Sequence, residues 1–113
     1  MAPNYDNRKF RIVGNSPNGE ADEDTLFTYH QKGNVVWGTY SGGRILQGVI
    51  LARVGEEGNL HIRYSHLNDR HEFRAGTCVS IPEVLDDGRL RMHESWLWAD
   101  GDNSTGRSVL EEI

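Results

Sequence analysis

Residues 35–67 read VVWGTYSGGRILQGVILARVGEEGNLHIRYSHL, and two turn clusters, Ser41-Gly-Gly43 and Gly55-Glu-Glu-Gly58, cut the stretch into three runs rich in β-branched, aliphatic and aromatic residues. In the second run Leu46, Gly48, Ile50, Ala52 and Val54 share one parity, opposite Gln47 and Arg53. In the third, Leu60, Ile62, Tyr64 and His66 oppose His61, Arg63 and Ser65. A period of two is the signature of a strand with one face buried. In the first run parity sets Val35, Trp37 and Thr39 against Val36, Gly38 and Tyr40 without saying which set is inside.

The same punctuation runs through the whole chain. Further turn clusters lie at Asn15–Gly19, Lys32–Asn34, Asn68–Arg70, Asp86–Gly88 and Asp100–Asn103, where Gly, Asn and Asp tolerate positive φ or hydrogen-bond their own backbone. Seven turns separate eight runs, and no run carries an i, i+3, i+4, i+7 apolar stripe over ten residues. Only Pro3–Arg8 or Asp22–Thr25 offers room for a helical turn. Short strands joined by tight turns form an antiparallel meander, and eight of them hide their edges by closing into a barrel or by folding into two packed sheets, of which closure is favoured. The sequence therefore predicts an all-β, single-domain, eight-stranded antiparallel up-and-down β-barrel over residues 1–113, with an interior wide enough for side chains or one small ligand.

Parity extends to the later strands. In Phe73–Ile81 the apolar set Phe73, Ala75, Thr77, Val79 and Ile81 is expected inside, leaving Arg74, Gly76, Cys78 and Ser80 on the outer wall. In Arg89–Trp98 the inner set is Leu90, Met92, Glu94, Trp96 and Trp98. Interior Gly48 leaves space beside the tryptophans, and Pro82 ends or bulges its strand.

Composition narrows the function. The net charge is −5, and ten of the twelve bases are Arg dispersed through the apolar runs. That is neither the contiguous basic stripe of a nucleic-acid surface nor a face for an anionic membrane. The single cysteine, Cys78, excludes an internal disulfide and a thiolate metal site. The stretch MAPNYDNRKF lacks a signal-peptide core, and no apolar run is long enough to span a bilayer as a helix, so a cytoplasmic protein is expected. No Walker A loop, GxGxxG or G-x-S-x-G is present, and no cofactor is expected. His66 and His71 supply at most two nitrogens across a hairpin, too few for a metal site, so none is expected.

The chemistry concentrates in His93–Gly106, HESWLWADGDNSTG, where Glu94 falls on the inner face two residues from Trp96. A buried carboxylate without a cation is costly and its pKa rises. Glu94 is thus either a candidate acid or base in a pocket, or a structural carboxylate held by Tyr64, a Trp indole or Arg. Trp37, Tyr64, His66, Glu94, Trp96 and Trp98 are the candidate ligand-binding residues, with core packing the competing role for each. Three functions follow. The first is a binder of a small hydrophobic or aromatic molecule. The second is a barrel enzyme of isomerase, cyclase or lyase type using Glu94 with Tyr64 or His66. The third is an interaction module or homo-oligomer built on an outer face that includes Val35, Val36 and Tyr40.

Three stretches, Asn4–Glu20, Tyr40–Arg44 with Gly48, and His93–Ile113, resemble a group of small uncharacterised bacterial proteins, some of which carry the label N-acetylglutamate synthase. That label implies acyl transfer from acetyl-CoA, which needs a helix N-terminus and glycine-rich loop around the pyrophosphate; this chain offers neither. Trp37-Gly-Thr-Tyr40 before a turn, and later tryptophan-bearing strands, are more distantly similar to the avidin- and lipocalin-like barrels. The resemblance implies architecture; fold alone does not fix a ligand.

Overall fold

The computed structural model describes residues 3–101 and 103–113; Met1, Ala2 and Asp102, the last placed by the sequence in the final turn, lie outside them. Eight strands run in chain order: β1 Arg8–Asn15, β2 Leu26–Lys32, β3 Val35–Gly42, β4 Ile45–Val54, β5 Leu60–Asn68, β6 Phe73–Val84, β7 Leu90–Trp98 and β8 Thr105–Glu112. Each pairs antiparallel with the next, and β1 pairs with β8, so the sheet closes without an edge. The expected turns fall between the strands. The tightest, Gly33-Asn34 between paired Lys32 and Val35, places Gly33 at positive φ as a two-residue hairpin requires. The helical turn falls at Glu56–Gly58, in the β4–β5 connection, and not at Pro3–Arg8 or Asp22–Thr25. No helix among the described residues is long and apolar enough to cross a membrane.

Alternation sorts β4, β5 and β7 as expected: Ile50, Ala52, Leu60, Ile62, His66, Leu90, Met92, Trp96 and Trp98 are buried. Leu46 is the exception, pushed outside by a register shift between Ile45 and Gln47. In β3 the inner set is Val36, Gly38 and Tyr40, so Val35, Trp37 and Thr39 face out.

β6 is inverted relative to expectation. Phe73, Val79 and Ile81 are exposed, while Gly76, Cys78 and Ser80 are buried and Arg74 turns towards the barrel mouth. The cause is volume. Inner positions of β6 pair with Ile62, Tyr64 and His66 of β5 and with Trp96 and Trp98 of β7, and the small inner residues of β6 leave those rings their room. A Cβ on Gly76 would strike the Tyr64 ring. The motif recurs: Gly48 lies opposite Tyr40 and Gly106 opposite Trp96 in the ladder, each glycine covered by the ring. The space at Gly48 is thus filled by Tyr40 and not left beside the tryptophans. Pro82 neither ends nor bulges β6; it pairs in register with Met92, and because β5 begins opposite Ser80 it needs a ladder on one side only.

The two ends differ. At the end carrying the chain termini, the N-terminal segment folds under the barrel, with Tyr5 fully buried and its hydroxyl donating to the Gly58 carbonyl at 2.6 Å. Phe10, Val36, Leu60, Leu90, Met92 and Leu110 are likewise fully buried and apolar. At the opposite end residues 16–25, between β1 and β2, form the longest connection and fold over the mouth. The outer wall carries cross-strand charge pairs such as Arg91–Glu111 at 3.2 Å.

Candidate functional site

Between the apolar floor and the β1–β2 loop lies a cavity of about 70 Å³ with a predominantly apolar lining. Its walls include five of the six candidate residues: Tyr64, His66, Glu94, Trp96 and Trp98. Trp37 is not among them; it stands 41% exposed on the outer wall, because Tyr40 takes the inward position in β3. Cys78, expected on the outer wall, is buried and lines the cavity.

Room for the cavity comes from the neighbours of Glu94. In the ladder Glu94 faces Ser80 of β6 and Ser108 of β8, so small side chains flank it on both strands. Ser108 is committed elsewhere, accepting from Trp96 Nε1 at 2.8 Å and donating to Asn15 Oδ1 at 2.7 Å. Ser80 is fully buried and its hydroxyl finds no hydrogen-bond partner among the described residues. Glu94 is partly buried and lines the cavity. Burial pushes its pKa up to about 7, eased by the facing Ser80 hydroxyl. That hydroxyl lies outside bonding geometry, so desolvation dominates. The same burial, with Glu94 nearby, raises the Cys78 thiol far above its usual range, leaving it protonated and unreactive.

A second polar group closes the mouth. His66 Nε2 donates to Glu20 Oε1 at 2.8 Å, while the Tyr40 hydroxyl meets His66 Nδ1 at 2.8 Å, which suits the tautomer protonated on Nε2. Arg74 Nη1 donates to Glu20 Oε2 at 2.7 Å, its Nε donates to Asp100 Oδ1 at 2.9 Å, and its guanidinium lies 4.0 Å over the Trp98 ring. Asn68 Nδ2 reaches both Glu20 oxygens at 3.3 and 3.4 Å. Burial pushes Glu20 upward, but the hydrogen bonds from His66 and Asn68 and the Arg74 charge outweigh it and hold the carboxyl below its usual range. Trp98 adds edge contacts to Trp96, Tyr64 and His66 at centroid separations of 5.5, 5.6 and 5.9 Å.

Both His66 nitrogens are therefore engaged, and His66 does not meet His71; no group of three potential ligands among the described residues is arranged to hold a metal ion. The Tyr64 hydroxyl donates to the Leu97 carbonyl at 3.3 Å. Sequence reasoning missed Glu20, Tyr40 and Arg74. The Tyr40–Gly48 spacing around the Gly42–Gly43 turn is a signal that would have turned Tyr40 inward. Nothing local marks Glu20, whose partners stand 46 to 54 residues away.

The family model described as Avidin-like protein matches residues 3–113. No curated protein and no solved structure matches the chain.

Proposed function

The chain belongs to the avidin-like family, and on that footing we propose that it binds a small hydrophobic or aromatic molecule inside the barrel, with Tyr64, Trp96 and Trp98 as apolar walls and Glu94 as the polar contact. The observation that carries this reading is an apolar cavity lined by a carboxyl that meets no cationic side chain among the described residues. A ligand bearing a hydrogen-bond donor gives that carboxyl the partner it lacks. The test is saturable quenching of tryptophan fluorescence by small aromatic donors such as indole and aniline, repeated on Cys78→Leu. The larger side chain fills the cavity from its wall and leaves the surface unchanged. Binding that survives in a folded Cys78→Leu protein refutes the interior site.

A proton-transfer role for Glu94 is the second reading, favoured by a carboxyl that burial raises to about 7 on the wall of the cavity. His66 is not its partner in that role, since both ring nitrogens are taken. Glu94→Gln abolishes turnover and keeps ligand binding if Glu94 moves a proton; unchanged turnover excludes it.

For the outer wall we propose self-association. Trp37 and Leu51 pair across β3 and β4 with Val49 exposed beside them on β4, and Val79 and Leu97 are exposed on β6 and β7, across from His61 and Arg63 of β5. Val36 and Tyr40, expected on this face, point inside, so the apolar part of this wall is centred on β3 and β4 at Val35, Trp37, Val49 and Leu51. Leu51→Glu dissociates the oligomer in sedimentation at micromolar concentration; a wild type that sediments as a monomer there overturns the proposal.

A further inference from the structure

Glu20 is held by groups that belong to the barrel wall and not to its own loop. His66 and Asn68 lie on β5 and Arg74 on β6, and together they direct four contacts of 2.7 to 3.4 Å onto one carboxylate. Each donor has a support that does not depend on Glu20. Tyr40 holds His66 Nδ1, Asp100 and the Trp98 ring hold Arg74, and Asn68 Oδ1 accepts from the Arg70 and Glu72 amides at 3.0 Å. If the loop swung away, the cradle would remain preorganised around an empty position. Glu20 also lines the cavity, so that position opens directly onto the apolar interior.

The loop itself is tied down by neutral contacts. The Asn18 side chain donates to Ser104 Oγ and the Thr105 carbonyl at 3.1 and 3.0 Å, Trp98 Nε1 donates to the Asn18 carbonyl at 3.2 Å, and Asn15 Nδ2 donates to the Ala21 carbonyl at 2.7 Å. With the loop in place the cavity of about 70 Å³ has room for about five waters at ~10–15 Å³ each. An aromatic ligand needs more, and the volume nearest to hand is the one Glu20 and its loop occupy.

We propose that His66, Asn68 and Arg74 form a carboxylate-binding subsite, occupied in the free protein by Glu20, and that the ligand is a small monocarboxylic acid with a flat apolar body that displaces Glu20. The proposal rests on the interior-ligand reading above and adds to it the class of ligand and the way in. A carboxylate exchanged for a carboxylate keeps every donor satisfied, whereas expelling Glu20 for a neutral group strands Arg74 and His66.

The test compares benzoate, its neutral isostere benzamide, and acetate, titrated calorimetrically into wild type, Glu20→Ala and Glu20→Gln at fixed ionic strength. With the internal competitor gone, both variants bind benzoate at least ten-fold more tightly than wild type and at least ten-fold more tightly than benzamide or acetate. Adding Arg74→Gln to Glu20→Ala removes the preference for benzoate over benzamide. Equal binding of benzoate and benzamide overturns the carboxylate subsite and leaves the interior site standing. Acetate binding as well as benzoate overturns the link to the apolar cavity. Failure of all three probes to bind folded variants overturns the subsite, and the interior reading is then judged by its indole and aniline titration. The wild-type chain gives a reading independent of the variants. Saturating benzoate releases the amide-exchange protection of residues 16–25, and protection that persists while benzoate is bound refutes displacement.

Discussion

Replacing Glu94 by glutamine measures the cost of the unneutralised acid. Burial moves this carboxyl from an ordinary 4.5 to about 7. At about 1.4 kcal/mol per pH unit, that displacement is worth about 3 kcal/mol. The sign follows from which state holds the proton. Below pH 4.5 both folded and unfolded chains keep Glu94 protonated and no penalty exists. Between pH 4.5 and about 7 the unfolded chain releases its proton first, so this residue's contribution to stability is lost progressively as pH rises; above about 7 both forms are ionised and the loss stops growing. Glutamine imitates the protonated acid at every pH.

The Glu94→Gln protein is therefore expected to match wild type at pH 4.5 and to exceed it by up to about 3 kcal/mol at pH 8. Water reaching the acid through the cavity reduces the figure. For a chain of 113 residues the difference raises the melting temperature by about 10 °C at pH 8, at roughly 4 °C per kcal/mol. Urea unfolding followed by tryptophan fluorescence at pH 4.5, 6 and 8 gives the two curves. Because every other titrating group is common to both proteins, subtracting them isolates Glu94. A difference that does not change with pH, or a variant destabilised at pH 8, refutes a desolvated acid at this position.

Other substitutions probe the remaining assignments. Gly48→Ala puts a Cβ 2.5 Å from the Tyr40 ring, and the resulting overpacking costs about 1–3 kcal/mol in urea unfolding; a neutral outcome contradicts the ring-over-glycine packing. Trp98→Ala loses about 3–5 kcal/mol, whereas Trp37→Ala on the outer wall loses less than about 1 kcal/mol at concentrations where the chain is dissociated. Equal losses at the two sites contradict the inward placement of Tyr40. Cys78 reacts with a disulfide reagent at pH 8 only as fast as the chain opens, since the thiol is buried and protonated. Labelling at the rate of a free thiol contradicts that burial.

The barrel could be read from the sequence because its determinants are local. Turn residues sit where the chain reverses, and in β4, β5 and β7 the apolar parity is unambiguous. In β6 the apolar parity points to the wrong face, because the choice of face is made by rings on neighbouring strands. Tyr64, Trp96 and Trp98 fill the interior, so β6 turns Gly76, Cys78 and Ser80 to them and sends Val79 and Ile81 outside. Trp37 shows the same limit: a tryptophan is worth burying only where the neighbouring strand leaves it volume, and in β3 that volume belongs to Tyr40. Glu94 was legible because its parity partners are apolar on one strand. Glu20 is not legible, because an acid in an acidic loop is ordinarily solvated, and only closure of the barrel brings Arg74, His66 and Asn68 of the far wall to it.

The two ends of the barrel solve different problems. At the end bearing the termini, large apolar side chains are fully buried and Tyr5 caps them, so that half gains by removing surface from water. At the loop end apolar Ile45 and Trp98 are joined by the buried polar groups Glu20, His66, Asn68 and the Tyr40 hydroxyl, whose contribution depends on every donor keeping its acceptor. An apolar floor accepts no substitute for its own side chains. A polar mouth accepts any partner of the right charge and shape, including one that arrives from solution. If Glu20 gives way to a ligand as proposed, the buried apolar floor is what holds the rest of the barrel together during the exchange.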